Sequence, residues 1–240
     1  MEKRKVLITG ASRGIGLAIA KKLHSKYELI LHATTEQSFT ETIPNSSLLC
    51  ADFSKPEEVS NFCKSLKKLH GKDLYAVINN AGITFDKSLI FQPEEEIDKM
   101  LQVNLKTPIL ICKTAMKIFG LNKSGVIINI SSCVGESGNA FQSIYAATKA
   151  GLIAFSKSIA KEIGVLNKDH SIRVVSLSPG FIESDMTDKI PESEKKNYLK
   201  MVPSGRFGKA DEIASAVSFL ISDEASYING SNIPINGGIL

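Results

Sequence analysis

Short, continuously apolar runs alternate with helical segments along the whole 240-residue sequence. Strands without alternation of apolar and polar residues are typical of a parallel sheet that helices cover on both faces. A repeated strand–helix–strand order with right-handed crossovers gives a doubly wound α/β sheet. The predicted strands are residues 6–9, 29–34, 48–51, 76–79, 126–130, 172–177 and 231–235, and the main predicted helices are 14–26, 57–69, 93–118, 143–160 and 211–221. The sequence therefore predicts one seven-stranded parallel sheet in a single domain over residues 1–240.

Composition narrows the class of protein further. Hydrophobic residues make up 43% of the chain and charged residues 22%, with a net charge of +4, which is ordinary for a globular protein and too mild to indicate nucleic-acid binding. Four cysteines lie without C-x-x-C spacing, so neither a disulfide framework nor a metal site is predicted. No apolar run reaches the length of a membrane span and no signal peptide is evident. We expect a cytoplasmic protein that does not bind a membrane.

A glycine-rich turn joins the first predicted strand to the first predicted helix. Its residues are Gly10, Ala11, Ser12, Arg13, Gly14, Ile15 and Gly16. Glycines in this position allow a tight turn and close approach of the backbone to a pyrophosphate, whose charge lies at the positive end of the helix. The alternative is a glycine turn that binds no ligand.

Tyr145 and Lys149 are four residues apart in the predicted helix 143–160, so both side chains lie on one helical face. A cation beside a phenol favours the phenolate and lowers the phenol pKa, which makes the pair a plausible proton-transfer device. Alternatively, they are an exposed tyrosine and a solvated lysine on a helix surface.

The spacing G-x-x-x-G-x-G, together with four later motifs, resembles the short-chain dehydrogenase/reductase family. The later motifs are Asn79-Asn80-Ala81-Gly82 after the fourth strand, Ser132 after the fifth, Tyr145-x-x-x-Lys149, and Pro179-Gly180 after the sixth. The resemblance covers nearly the whole chain. It implies a Rossmann domain and an oxidoreductase that uses a nicotinamide cofactor.

The same resemblance implies a catalytic group of Asn104, Ser132, Tyr145 and Lys149. Ser132 and Tyr145 are expected to donate hydrogen bonds to a substrate carbonyl oxygen, and Tyr145 to give its proton to the developing alkoxide. Lys149 is expected to lower the tyrosine pKa and to bind the nicotinamide ribose, and Asn104 to hold a water that links the lysine to solvent. Alternatively, Ser132 is a strand-end turn residue and Asn104 caps a helix break.

The cofactor is predicted to be NADPH/NADP+ rather than NADH. A carboxylate at the end of the second strand would repel a 2′-phosphate, but that strand ends His32-Ala33-Thr34-Thr35, and Arg13 can pair with the phosphate. Asp52 and Phe53 resemble the family's adenine contact, although Asp52 could instead cap the next helix, for which Ser54 is better placed. The full set of predicted cofactor contacts is Gly10, Ser12, Arg13, Gly14, Ile15, Gly16, Thr34, Asp52, Phe53, Asn80, Ala81, Gly82, Tyr145, Lys149, Pro179, Gly180 and Ile182.

Within the family, the chain is most similar to the reductases of beta-ketoacyl groups carried on acyl-carrier protein in fatty-acid synthesis. The Pro179-to-Thr187 run carries most of this similarity. An acidic carrier protein requires a basic docking surface near the active-site entrance, and the candidates are Lys123, Lys157, Lys161 and Lys168, unless these are ordinary solvated lysines. Two alternatives stay open: reduction of acetoacetyl-CoA or another small ketone or secondary alcohol, and a non-catalytic, NADP-sensing protein on the same scaffold.

Two further expectations concern regions outside the catalytic group. Residues 181–208 contain two prolines and many charges, and we predict a substrate-side insertion there with one short helix. Family members usually form tetramers through the Tyr145 helix and the C-terminal strand. Small residues such as Ala147, Ala150 and Ala154 on that helix permit close approach of a second helix, so we expect a homotetramer.

Overall fold

Seven parallel strands form one sheet in the computed structural model, which describes residues 4–166, 171–183 and 192–239. The strands are β1 (Lys5–Ile8), β2 (Glu28–Ala33), β3 (Ser46–Cys50), β4 (Leu74–Asn79), β5 (Ser124–Ile130), β6 (Ser171–Pro179) and β7 (Asn232–Ile235). Their order across the sheet is β3-β2-β1-β4-β5-β6-β7, and every neighbouring pair is parallel. This confirms the predicted doubly wound α/β domain.

Helices cover both faces of this sheet. They are α1 (Gly14–Leu23), α2 (Pro56–His70), α3 (Glu94–Leu101), α4 (Thr107–Asn122), the short α5 (Val134–Ser137), α6 (Ser143–Leu166), α7 (Glu192–Lys200) and α8 (Ala210–Leu220). Side chains of α1 and α8 fill one core layer, and those of α2, α4 and α6 fill the other. Within the described ranges, no helix combines the length and the apolar character that crossing a membrane requires.

Adjacent residues of β1 explain why its sequence is apolar after Lys5. Val6 and Ile8 face the first core layer, Leu7 faces the second, and all three are fully buried. Full burial of such a side chain stabilises a fold by about 1.5–3 kcal/mol. A polar residue in a strand that is buried on both faces therefore needs hydrogen-bond partners inside the protein.

The predicted continuous helix 93–118 is interrupted in the structure. A π-helical turn, Gln102–Lys106, separates α3 from α4, and Asn104 lies in its middle. A π turn adds a residue to the helical repeat and is common at functional sites. Hydrophobic periodicity does not reveal such an insertion, because the apolar pattern continues on either side of it.

The strand order places one edge of the sheet in position to bind a ligand. The chain proceeds outward from β1 to β3, then returns to β4 and proceeds in the opposite direction, so β1 and β4 form the topological switch point. In doubly wound sheets, ligands bind at the carboxyl ends of the strands near this point. The predicted insertion 181–208 follows β6 at the same edge, and its residues 184–191, including part of the Pro179-to-Thr187 run, lie outside the described residues.

Candidate active site

A cleft of about 560 Å³ opens at the carboxyl edge of the sheet. It extends from the glycine turn after β1, past the turn after β4, to the start of α6. Most of the predicted cofactor and catalytic residues line it: Gly10, Ser12, Arg13, Gly14, Ile15, Thr34, Asp52, Phe53, Asn80, Ala81, Gly82, Ser132, Tyr145, Lys149, Pro179, Gly180 and Ile182. Gly16 and Asn104 are buried and do not line the cleft.

The glycine turn has the backbone conformation that only glycine adopts easily. Gly10 has φ +64° and Gly14 has φ +54°. A Cβ atom at Gly10 would lie 2.9 Å from Ala81 Cα, and one at Gly16 would lie 2.1 Å from the Gly10 carbonyl oxygen. Gly16 therefore serves the packing of α1 against the turn rather than direct contact with a ligand.

The turn after β4 holds the glycine turn in place. The Thr9 hydroxyl accepts hydrogen bonds from the backbone amides of Asn80 and Ala81, at 2.9 and 3.0 Å. The Asn80 side-chain amide donates to the carbonyl oxygens of Thr9 and Gly10, at 2.9 and 3.1 Å. These four bonds fix the floor of the cleft between β1 and β4.

The cleft residues fit a dinucleotide. The first turn of α1 contains no acidic residue, so its positive end is not neutralised by the chain itself. A Cβ atom at Gly14 would contact no atom within 4 Å, which leaves this part of the turn open for a phosphate. Arg13 is exposed beside Thr34 and Ser38 at one end of the cleft, and it has no ion-pair partner within the described ranges.

Asp52 and Phe53 follow β3 and form the adjoining wall. Asp52 accepts hydrogen bonds from the amide and hydroxyl of Ser54, at 3.0 and 2.7 Å, and these bonds help to lower the pKa of its carboxyl although partial burial opposes them. The alternative, in which Asp52 or Ser54 caps α2, does not hold, because α2 begins at Pro56 after Lys55 and has no side-chain cap. Phe53 is buried and presents an aromatic ring to the cleft.

Ser132 and Tyr145 meet at the other end of the cleft. The Ser132 hydroxyl accepts a hydrogen bond from the Val134 amide at 3.2 Å, and it lies close enough to the Tyr145 phenol to favour a lower phenol pKa. The neighbouring Ser131 hydroxyl donates instead to the Lys149 carbonyl oxygen at 2.9 Å. Of the two serines, Ser132 is therefore the one whose hydroxyl lies beside Tyr145.

Lys149 lies next to Tyr145 and forms no ion pair with any carboxylate in residues 4–166, 171–183 and 192–239. Its ammonium nitrogen is 5.6 Å from the Tyr145 ring centroid and donates to the Ile130 carbonyl oxygen at 2.9 Å. Burial lowers the pKa of Lys149 to about 8. Burial also raises the pKa of Tyr145 to about 12, and the Ser132 hydroxyl offsets only part of that shift. Desolvation is the largest effect on the tyrosine pKa in this structure, and it opposes the lowering that is expected from Lys149.

Asn104 is fully buried and uses both ends of its side chain. Its carbonyl oxygen accepts from the Ile83 amide at 2.8 Å, and its amide donates to the Ile83 carbonyl oxygen at 2.7 Å and to Thr148 at 3.4 Å. It therefore clamps the segment after Gly82 to α6. A Cβ atom added at Gly82 would lie 3.4 Å from Asn104 Oδ1 and 3.5 Å from Lys149 Nζ. The side chains of Asn104 and Lys149 therefore both lie close to Gly82.

The turn after β6 completes the cleft. The Pro179 carbonyl oxygen accepts from the Cys133 amide at 2.9 Å, and the Gly180 amide donates to the Ile235 carbonyl oxygen at 3.0 Å. Ile182 pairs with Gly208 in an isolated parallel bridge. The start of the predicted insertion is thereby fixed beside Ser132.

Sequence reasoning missed several residues that line the cleft. The main ones are His32 at the end of β2, Gln142 just before α6, and Phe181 after β6. Phe181 contacts Tyr198 and Phe207, with ring centroids 4.5 and 5.6 Å apart. The signal for Gln142 and Phe181 was their position next to a predicted motif, whereas a histidine inside an apolar strand gave no such signal.

The predicted basic docking patch does not border the cleft of its own chain. Lys123 directly precedes β5, so the length of this strand, roughly 20 Å, separates it from the carboxyl edge. Lys157 and Lys161 are exposed on α6, roughly three and four and a half turns beyond Tyr145, and Lys168 lies outside the described residues. Their predicted position near the entrance was therefore wrong for Lys123, Lys157 and Lys161, because strand and helix both lead away from it.

Comparisons with known proteins agree with the geometry. A family model described as enoyl-(acyl carrier protein) reductase matches residues 10–240. The chain is 39% identical to the 3-oxoacyl-(acyl-carrier-protein) reductase FabG of Salmonella typhimurium, over 99% of this chain and 98% of the relative. It is 38% identical to FabG of Escherichia coli, over 99% and 98%, and 37% identical to FabG of Haemophilus influenzae, over 100% and 99%.

Proposed function

Because the chain belongs to the short-chain dehydrogenase/reductase family, we propose that this oxidoreductase uses NADPH to reduce beta-ketoacyl groups on acyl-carrier protein to beta-hydroxyacyl groups in fatty-acid biosynthesis. One observation carries the proposal: the hydroxyls of Ser132 and Tyr145 converge in the cleft that begins at the glycine turn. The names of relatives that are 37–39% identical over nearly the whole chain support the substrate class.

The chemical step places negative charge on the ketone oxygen. When bound, the reduced nicotinamide supplies a hydride to the carbonyl carbon. Ser132 and Tyr145 donate hydrogen bonds to the oxygen as its charge develops, which stabilises the transition state. Tyr145 then transfers its proton to that oxygen, so the ketone gains one hydride and one proton. Lys149 binds the nicotinamide ribose and holds a positive charge close to the tyrosine ring.

Selectivity for NADPH is assigned to the end of the cleft that Arg13 and Thr34 line. β2 ends at Ala33 and is followed by Thr34, so no carboxylate stands where it would repel a 2′-phosphate. The exposed Arg13 guanidinium supplies charge-assisted hydrogen bonds to that phosphate. Asp52 and Phe53 receive the adenine.

The carrier protein docks on a basic surface, and we propose that this surface comes from a neighbouring copy of the chain. Ala147, Ala150 and Ala154 form an exposed row of small side chains on α6. Antiparallel packing of two α6 helices along this row brings Lys157 and Lys161 of one copy towards the cleft of the other. We expect a homotetramer, and light scattering measures this oligomeric state. We also expect the activity on carrier-protein substrate to fall as the ionic strength rises. Activity that does not change across a salt series would contradict docking through these lysines.

Two other reactions need to be separated from this one. The family description names enoyl reduction, and a small ketone or CoA thioester could use the same cleft. Reduction of a ketone and conjugate reduction of an enoyl thioester both place negative charge on a carbonyl oxygen, so Ser132 and Tyr145 can serve either reaction. The keto substrate is favoured by the relatives that are named 3-oxoacyl-(acyl-carrier-protein) reductases. A protein that only senses NADP would not require the paired hydroxyls.

The decisive experiment compares rates of NADPH and NADH consumption on matched substrates. Acetoacetyl and crotonyl groups are each presented on acyl-carrier protein and on CoA. We expect the highest kcat/KM for acetoacetyl carrier protein with NADPH, and no turnover of the crotonyl esters. Faster turnover of crotonyl esters would assign the chain to enoyl reduction. Cofactor binding without turnover of any ester would instead assign it to sensing.

A further inference from the structure

His32 is the penultimate residue of β2, and only 3% of its surface is exposed. It has no part in the proposed chemical step. A buried histidine is unusual in a strand whose other buried residues are apolar, because its ring nitrogens need hydrogen-bond partners. The partners that His32 has belong to two different walls of the cofactor cleft.

The hydrogen bonds of the ring define its tautomer. The Gly10 backbone amide donates to Nδ1 over 3.1 Å, and Nε2 lies 2.9 Å from the Ala51 carbonyl oxygen. A backbone N–H can only donate, so Nδ1 carries no proton and Nε2–H donates to Ala51. Burial lowers the pKa of His32 to about 4, so this neutral form is present near pH 7.

The ring also packs against the wall that is proposed to receive the adenine. It is stacked on Phe53, with centroids 3.8 Å apart and planes 4° apart, and Phe62 meets it edge-on at 5.3 Å. In addition, the His32 carbonyl oxygen accepts from the Ala11 amide at 2.8 Å. One residue therefore contacts two successive amides of the glycine turn and the segment that follows β3.

We propose that His32 is a positioning residue that holds the pyrophosphate turn and the adenine wall in their binding arrangement. The acceptor at Nδ1 fixes the Gly10 peptide, whose φ of +64° is otherwise only one of several that glycine adopts. The flat stack fixes the plane of Phe53. This inference rests on the proposed binding of a nicotinamide dinucleotide, and it concerns affinity for that cofactor rather than the chemical step.

Two substitutions separate the hydrogen bonds from the aromatic ring. His32→Phe keeps a ring against Phe53 and removes both hydrogen bonds, which leaves the Gly10 amide unpaired. His32→Asn removes the ring but places a carbonyl oxygen near the position of Nδ1, where it accepts from Gly10. His24→Asn, at the end of α1, is the matched control because that side chain does not line the cleft.

The readouts are the Kd for NADP+ and for adenosine 2′,5′-bisphosphate, the kcat at saturating cofactor, and the midpoint of thermal unfolding. We expect His32→Phe to raise both Kd values about tenfold, since an unpaired buried amide destabilises the binding arrangement. We expect kcat to change less than about twofold, because the reacting groups are untouched. His32→Asn should recover most of the loss in affinity.

Four outcomes would overturn the inference. Unchanged Kd values in a His32→Phe protein with a lower unfolding midpoint would show a purely structural role. Equal losses in both variants would show that the Gly10 bond is not what matters. If either variant fails to fold, ¹⁵N NMR of the wild-type imidazole decides: a proton on Nδ1 in the NADP+ complex would refute the assigned contact. Wild-type protein that binds no dinucleotide would overturn the proposed function as well.

Discussion

Replacing Lys149 with methionine should make the protein more stable while it abolishes activity. The lysine is 4% exposed and forms no ion pair with a described carboxylate, and burial lowers its pKa from 10.5 to about 8. Each pKa unit corresponds to about 1.4 kcal/mol, so at neutral pH the buried cation destabilises the fold by roughly 3 kcal/mol. Methionine has a similar length and carries no charge, so it removes that penalty.

The net gain is smaller, because the substitution also removes the hydrogen bond to the Ile130 carbonyl oxygen. A hydrogen bond from a charged donor contributes about 1.5–3 kcal/mol, which leaves an increase in the free energy of unfolding of up to roughly 1–2 kcal/mol at pH 7. The sign of the pH dependence follows from the lowered pKa. Between pH 8 and 10.5 the unfolded wild type binds more protons than the folded one, so the wild type becomes relatively more stable as the pH rises through this range.

Urea unfolding at equal protomer concentration, at pH 7 and near pH 10, tests this reasoning. The stabilising effect of Lys149→Met should shrink between the two pH values. Lys157→Met, an exposed position on the same helix, should change the free energy of unfolding by less than about 0.5 kcal/mol at either pH. A Lys149→Met protein that is less stable than the wild type at pH 7, or a difference that is independent of pH, would refute the argument.

Three further predictions concern single side chains. Tyr145→Phe should lower kcat by at least about 10²-fold with cofactor binding retained, because it removes only the hydroxyl that carries the transferable proton. Tyr227→Phe, at a fully exposed site, should leave kcat unchanged. Retained turnover in Tyr145→Phe would contradict the assignment. Arg13→Ala should raise the KM for NADPH about tenfold and leave that for NADH unchanged, with Lys22→Ala as the control; equal effects on both cofactors would argue against 2′-phosphate binding. Between pH 6.5 and 4 the proton binds His32 in the unfolded chain but not in the folded protein, so the free energy of unfolding should fall by up to roughly 3 kcal/mol as the pH decreases through this range. The free energy of unfolding should depend less steeply on pH in His32→Phe. Equal slopes would count against a neutral ring.

The element order was predictable from the sequence because burial on both faces makes the inner strands continuously apolar. The turn at Gly10 was predictable for a different reason, since a strand–glycine–helix junction leaves few backbone alternatives. Strand ends were less predictable: β3 begins at Ser46, although its apolar run starts at Leu48. β3 is an edge strand, and its first residues are exposed, so apolar composition does not mark where pairing begins.

The electrostatic state of the site was not predictable from spacing. A separation of four residues places Tyr145 and Lys149 on one face, but it does not report how much water either group loses. The proposed role of His32 was not predictable either, because its hydrogen-bond partners Gly10 and Ala51 follow two different strands that only the folded sheet brings together. Sequence motifs thus indicate which groups meet, whereas their protonation depends on packing.

The raised pKa of Tyr145 is consistent with the direction of the proposed reaction. Reduction needs a neutral phenol that can give up a proton, and a pKa of about 12 keeps essentially all of the protein in that form at neutral pH. Oxidation of an alcohol in the same cleft needs the phenolate, which at this pKa is present in only about one molecule in 10⁵ at pH 7. The alkoxide formed by hydride transfer is a far stronger base than a phenolate, so proton transfer from Tyr145 is still downhill. Desolvation of the tyrosine therefore keeps the phenol in the protonated form that reduction requires, and Lys149 need not ionise it first.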